Sequence, residues 1–244
     1  MKPKNILITG AAKRLGAAMA RLLHDKGHNI IIHYQHSQQQ AQQLSTELNQ
    51  QRPDSAICVA ANLLINEERQ QLIKAAINRW DGIDVLINNA SSFYPTPLSE
   101  LTEQNWDELM DCNLKAPFFL ATALKPTLKN NQGCIVNIID IHAERGLKDY
   151  PIYSISKAGL AAMTKILAKE LAPEIRVNGI APGAILWPEQ ALNNTDKQQI
   201  LSRIALQRSG EVEDIAKAAR FLIDDAHYTT GEIIKIDGGR TLFC

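Results

Sequence analysis

The chain has 244 residues, 45% hydrophobic and 21% charged, and its 26 basic and 26 acidic residues give a formal net charge of zero. That size suits one large buried core, and without a basic excess no nucleic-acid partner is expected. No apolar run approaches the roughly twenty residues of a membrane span, and the stretch after Met1-Lys2-Pro3-Lys4 is too short for a signal peptide.

Apolar, strand-like runs alternate with amphipathic stretches. They cover Ile6 to Thr9, Ile30 to Tyr34, Ala56 to Ala60, Val85 to Asn88, Cys134 to Ile139, Val177 to Ile180 and Ile233 to Ile236. The runs are apolar throughout instead of alternating, so both faces of each strand are expected to be covered. This predicts an α/β fold: a doubly wound, parallel, seven-stranded sheet with helices on both faces. No linker or repeat divides the chain, so residues 1–244 are read as one domain, with insertions confined to a loop at about 184–195.

The first run leads through Thr9-Gly10-Ala11-Ala12-Lys13-Arg14-Leu15-Gly16 into a helix. Strand, glycine turn and helix in that order let a backbone approach a pyrophosphate, with free N–H groups and the positive helix end facing its charge. A Rossmann-like dinucleotide site lined by Gly10, Lys13, Arg14, Leu15 and Gly16 is predicted. His24 and His28 are four apart on this helix, but Gly27 ends it and no carboxylate or thiol stands near in sequence, so no metal site is expected.

At the end of the second run an acidic side chain would grip the ribose diol of NAD. None lies between Asp25 and Glu47, and Tyr34-Gln35-His36-Ser37 occupies the place. Arg14 adds a guanidinium where many such loops have glycine, so NADPH is favoured, with Tyr34, His36 and Ser37 at the adenine ribose. A neutral imidazole at His36 would hold phosphate less well than arginine. The Gln-rich stretch from Gln38 to Gln51 carries Ala41, Leu44 and Leu48 at helical spacing and is read as a solvated surface helix.

Ligands of such sheets bind beyond the carboxyl ends of the strands. Asn88-Asn89-Ala90-Ser91-Ser92-Phe93-Tyr94-Pro95 follows the fourth run. Phe93 there could stack a flat heterocycle or pack under its own loop, and the sequence leaves both open. Asp140 closes the fifth run and by itself reads equally as a turn acceptor. Tyr153 and Lys157, four apart in YSISK, share a helix face. The ammonium is expected to lower a phenol pKa that is ordinarily about 10, making Tyr153 a proton donor near neutrality. Beside an alkoxide product, the carboxylate of Asp140 would be harmful. Like charges about 4 Å apart repel by roughly 4 kcal/mol at an effective dielectric near 20, about three decades of rate. Beside a C=N bond the same carboxylate helps, because the nitrogen gains positive character on protonation. The trio therefore points to imine reduction rather than ketone reduction. Pro182-Gly183 follows the sixth run and leads to Leu186, Trp187 and Pro188. Cys58, Cys112, Cys134 and Cys244 show no CxxC spacing and three lie in apolar surroundings, so reduced thiols and a cytoplasmic location are expected.

Over its whole length the chain resembles the short-chain dehydrogenase/reductases, with TGAAKRLG, NNAS, YSISK, the Pro182-Gly183 turn and the closing TGEIIKIDGG in order. Within them it is similar to the pteridine reductases and bacterial dihydromonapterin reductases. The matches are Arg14, the HYxxS pattern around Tyr34 and Ser37, NNASSFYPTPL from Asn88 to Leu98, and Asp140 where most of the superfamily has a catalytic serine. The resemblance implies that Lys157 holds the nicotinamide ribose and supports Tyr153, and that Asn113 keeps the active-site helix geometry and its water. Tyr153, hydrogen-bonded to Asp140, would give the proton as NADPH reduces a pterin C=N bond. Arg14 and Ser91 would touch both cofactor phosphate and pterin, and Phe93 with the nicotinamide would sandwich the pterin.

Asn62, Leu63, Asn89 and Ala90 are implied on the adenosine side, Pro182 and Gly183 at the cofactor, and Leu186 and Trp187 at the substrate. A homotetramer acting on a small pterin or folate is implied too, with the carboxyl tail near a subunit contact. Two positions depart from the pattern: His36 stands where the parasite enzymes have arginine, and Asn62 where they have aspartate. Two alternatives stay open. One is a 3-oxoacyl thioester reductase, which shares Tyr153 and Lys157 but wants serine at position 140. The other is a non-catalytic NADP-binding regulatory protein.

Overall fold

The computed structural model describes residues 2–185 and 194–243. The strands are β1 (Asn5–Ile8), β2 (Asn29–Tyr34), β3 (Ala56–Ala60), β4 (Val85–Asn88), β5 (Cys134–Ile138), β6 (Arg176–Pro182) and β7 (Ile233–Ile236). The helices are α1 (Arg14–Asp25), α2 (Gln38–Gln51), α3 (Asn66–Arg79), α4 (Glu103–Met110), α5 (Ala116–Asn130), α6 (Pro151–Glu170), α7 (Asn194–Ser202) and α8 (Val212–Asp224). All seven strands pair in parallel in one sheet ordered β3-β2-β1-β4-β5-β6-β7.

The register explains the unbroken apolar runs. Ile6, Ile30, Val85 and Cys134 are neighbours across four strands, and they join the core layer that contains the inward residues of α1, α2 and α8. One position on, Leu7, Ile31, Leu86 and Ile135 are neighbours in the opposite layer with α3, α5 and α6. Period-two alternation with a core on each side leaves no solvent face to be polar. Each fully buried Ile or Leu contributes roughly 1.5–3 kcal/mol.

A chain of side-chain hydrogen bonds inside the sheet serves as a tie. The Asn88 amide donates to Asn137 Oδ1 at 2.8 Å, and Asn137 in turn donates to Thr164 Oγ1 at 2.9 Å, joining β4, β5 and α6. The two histidines of the first helical unit have structural partners: His24 Nε2 lies 2.7 Å from Ser55 Oγ, and His28 Nε2 lies 3.2 Å from Asp224 Oδ2. Cys112 and Cys134 are buried and Cys58 half-buried, and none of these three is in a disulfide. Among the described residues no helix is long and apolar enough to cross a membrane.

Helix α7 opens at Asn194, at the far bound of the loop expected at about 184–195. Leu186, Trp187 and Pro188 within that loop, like Cys244, lie outside the described residues.

Candidate active site

The strand order reverses direction at β1, between β2 and β4, so the connecting segments diverge above the carboxyl ends of β1 and β4. A cavity of about 780 Å³ opens there, reaching from Leu63 and Leu64 after β3 to Gly183 after β6 and Arg240 after β7. Its volume falls in the range of small-molecule and cofactor sites.

The turn after β1 is built for close approach. A Cβ on Gly16 would lie 2.5 Å from Gly10 O and 2.7 Å from Ala11 Cα, and Gly10 itself has φ +61°. Both positions therefore need glycine. The Asn89 amide donates to the carbonyls of Thr9 at 2.8 Å and Gly10 at 3.0 Å, while Thr9 Oγ1 accepts the N–H groups of Asn89 and Ala90. Lys13, Arg14, Leu15 and Gly16 line the cavity at the start of α1, and no side chain caps that end. First-turn N–H groups lack intrahelical acceptors and suit an anion. Arg14 has φ +53°, a left-handed conformation costing a non-glycine residue about 1–2 kcal/mol.

Tyr153 comes from the first turn of α6, and its hydroxyl donates to Asp140 Oδ2 at 2.8 Å. The other carboxylate oxygen of Asp140 accepts the His142 N–H at 2.7 Å, capping the short 3-10 turn Ile141–Ala143. Asp140 thus serves as the turn acceptor through one oxygen and reaches the Tyr153 hydroxyl through the other. Lys157, 3% exposed, donates from Nζ to the Ile138 carbonyl at 3.0 Å and lies 5.7 Å from the Tyr153 ring centroid.

The electrostatics correct one expectation. Tyr153 is not drawn toward neutrality by Lys157; its pKa is raised well above the ordinary 10, first by burial and then by the Asp140 carboxylate. The phenol therefore keeps its proton. Lys157 is itself lowered to about 8 by burial, partly offset by Asp140.

Phe93 is half exposed and does not tuck beneath its own loop. Its ring stacks on Tyr150, with centroids 4.6 Å apart and planes at 11°, and meets Tyr153 edge-on at 4.7 Å. Asn113 sits in a π-helical turn, Asp111–Lys115, between α4 and α5. Its carbonyl oxygen accepts Ser91 Oγ at 3.0 Å and the Ser92 N–H at 2.9 Å, and its amide donates to Ser92 O and Ser156 Oγ, both at 3.0 Å. Asn113 thus ties the loop after β4 to α6. A π-turn at such a place commonly marks a functional site.

The family model described as Enoyl-(Acyl carrier protein) reductase matches residues 10–241. A 3-oxoacyl-(acyl-carrier-protein) reductase FabG of Staphylococcus epidermidis is 35% identical over 240 residues, covering 97% of this chain and 98% of that protein. The chain belongs to the short-chain dehydrogenase/reductase superfamily. Pteridine reductase 1 of Leishmania tarentolae is 33% identical over 276 residues, covering 97% of this chain and 96% of that protein. A blue fluorescent protein from a metagenomic library, solved in complex with NADPH, superposes with a TM-score of 0.91 at 31% identity, over 98% of each chain.

In this short-chain dehydrogenase/reductase the cavity gathers most of the residues named from sequence, among them Ser91, Phe93, Asp140, Tyr153, Lys157 and Pro182. His36 lines an adjoining groove of about 600 Å³ with Glu103, Asp107, Glu108 and Asp111. Tyr34 ends β2 and Ser37 precedes α2 without capping it. Asn62 uses its side-chain oxygen locally, accepting the Leu64 N–H at 3.0 Å. Neither Tyr34, Ser37 nor Asn62 is in the cavity wall. Sequence reasoning missed Tyr150 and His33, both in that wall. Tyr150 had a signal, an aromatic three residues before Tyr153 in YPIY at the start of the helix. His33 had one in the HYxxS pattern.

Proposed function

We propose that this enzyme is an NADPH-dependent reductase of a pterin ring C=N bond, taking a dihydropterin or dihydrofolate to the tetrahydro form. The observation that carries the reading is the hydrogen bond of Tyr153 Oη to Asp140 Oδ2 inside the cavity. The cavity suits the cofactor: glycines at 10 and 16 permit approach, an uncapped helix start meets the pyrophosphate, and Arg14 adds a cation. No carboxylate at the end of β2 favours NADH. The NADPH-bound relative adds support.

Bound there, NADPH supplies the hydride. Lys157 would hold the cofactor ribose, and Pro182 and Gly183, which line the same cavity, would bound its nicotinamide. Phe93 offers its ring to the flat heterocycle. Tyr153 stores the proton, since burial and Asp140 keep the phenol protonated until a more basic ring nitrogen develops. Asp140 attracts the positive charge growing on that nitrogen and would repel an alkoxide at the same place. Lys157 offsets the phenolate left after transfer.

Overall similarity favours a second reading, reduction of a 3-oxoacyl thioester, because relatives of that name reach 35% identity. Against it stands the carboxylate at position 140, where that chemistry wants serine. NADPH oxidation is followed with dihydrobiopterin, dihydrofolate and acetoacetyl thioester, in wild type and Tyr153→Phe. Pterin or folate turnover lost in the variant supports the first reading. Turnover of the thioester alone establishes the second, and NADPH binding with no turnover makes the chain a regulator.

The same reading carries a homotetramer, supported by exposed Trp106 on α4, Phe118 and Phe119 on α5 and Ile155 and Ile166 on α6. Large apolar groups left on neighbouring helices suit subunit contact. A cytoplasmic setting fits free thiols at Cys58, Cys112 and Cys134.

A further inference from the structure

We infer that His33 is a positioning residue for the cofactor turn, holding the Gly10 and Ala11 amide groups as Asn89 holds the Thr9 and Gly10 carbonyls. The turn at residues 9–11 is gripped from both sides. From β4, the single Asn89 amide takes Thr9 O and Gly10 O. From β2, the Gly10 N–H donates to His33 Nδ1 at 3.0 Å, and the Ala11 N–H donates to the His33 carbonyl at 2.9 Å. The far ring nitrogen, Nε2, lies 3.0 Å from the Ala61 carbonyl at the end of β3. A carbonyl only accepts, so Nε2 carries the hydrogen and Nδ1 is left as an acceptor. The ring is thereby locked in one tautomer, the one that can receive Gly10.

Three features make this more than a buried histidine satisfied by chance. His33 is 2% exposed yet contributes to the cavity wall, so it joins the turn to the space the cofactor would fill. Burial holds its ring neutral, lowering the pKa to about 4, as the acceptor role requires. Any apolar residue at this position would leave the Gly10 N–H without its acceptor, although the three residues before it in β2 are isoleucines. With the N–H groups of Thr9, Gly10 and Ala11 and the carbonyls of Thr9 and Gly10 engaged, its path is fixed before a ligand arrives. The N–H groups at the start of α1 remain for the phosphates.

The inference rests on the reading that the cavity binds NADPH. NADPH fluorescence titration of the full chain, with steady-state kinetics, is carried out on wild type, His33→Leu, His33→Asn and His33→Gln. The asparagine oxygen can stand in for Nδ1, whereas the glutamine amide reaches instead toward Ala61. His33→Leu is expected to weaken NADPH binding about tenfold or more, and to raise KM for NADPH while kcat at saturation stays within about twofold. His33→Asn should recover most of the affinity and His33→Gln should not.

Binding by His33→Leu within twofold of wild type overturns the inference, as does a loss of kcat without a change in KM for NADPH. If His33→Leu does not fold, equal NADPH affinity in His33→Asn and His33→Gln overturns it. Failure of wild type to bind NADPH sinks the cofactor reading together with this one. Normal wild-type binding with indifferent variants removes only the role of His33.

Discussion

At the scale of a single residue, the proposed chemistry rests on Asp140, whose two oxygens do different things. One caps the turn through the His142 N–H and so fixes the carboxylate, and the other then meets Tyr153 Oη at a set distance. Asp140→Ser keeps a capping oxygen but removes the charge, and is expected to lower kcat/KM for dihydropterin by about 100-fold or more. NADPH affinity should change by less than about threefold; equal losses of both would make the residue structural. Lys157 gives a second test. Its pKa of about 8 places an alkaline limb in the pH profile of kcat/KM for NADPH, activity falling as the ammonium is lost. Asp140 raises that pKa, so the limb should move to lower pH in Asp140→Ser. An unmoved limb would separate Lys157 from the carboxylate. His33 bears on stability with the opposite sense. Its folded pKa of about 4 is below the ordinary 6.5, so between these values the unfolded chain binds the extra proton. Stability should fall as pH drops from about 6.5 toward 4, by roughly 3 kcal/mol from this group. Urea midpoints across that range, flatter in His33→Asn, would check it.

At the scale of elements, the cofactor turn shows a residue kept against its own backbone preference. Arg14 lies at φ +53°, where glycine would be relaxed. Arg14→Gly is expected to leave Tm unchanged or raised while weakening NADPH binding about tenfold; a clear fall in Tm would show that the side chain serves the fold instead. Gly16 is the reverse case. A methyl group there meets the Gly10 backbone oxygen at 2.5 Å, so Gly16→Ala should abolish NADPH binding and lower Tm together. The motifs that reveal these elements are local, and local sequence shows them well. The glycine turn, the helix starts and YSISK each depend on spacing within one turn of chain. Helix α2 occupies the Gln38–Gln51 span that its apolar spacing predicts. The sign of the shift at Tyr153 was not legible. Spacing on one helix face brings Lys157 near the ring, but only the packed structure shows that burial, then Asp140, raises the phenol pKa.

For the whole molecule, the parallel sheet determines where chemistry can occur. Seven strands that all end on one side bring Gly10, Asn89, Asp140 and Gly183 to a single crevice, though they are far apart in sequence. Exposed aromatic and aliphatic groups on α4, α5 and α6 predict assembly; sedimentation at micromolar concentration should show a tetramer, and a monomer would remove that expectation. By itself the sequence determined which runs are buried on both faces, where the dinucleotide turn lies, and which tyrosine, lysine and aspartate are candidates for the site. These follow from periodicity and spacing, which are properties of the chain. Tertiary structure alone decided what depends on neighbours remote in sequence. It stacked Phe93 on Tyr150, spent Asn113 on the loop after β4, set His36 in an acidic side groove, and joined His33 to Gly10 and Ala61. Hydrogen-bond partners and desolvation are set by where strands cross the sheet, and no local pattern carries that information.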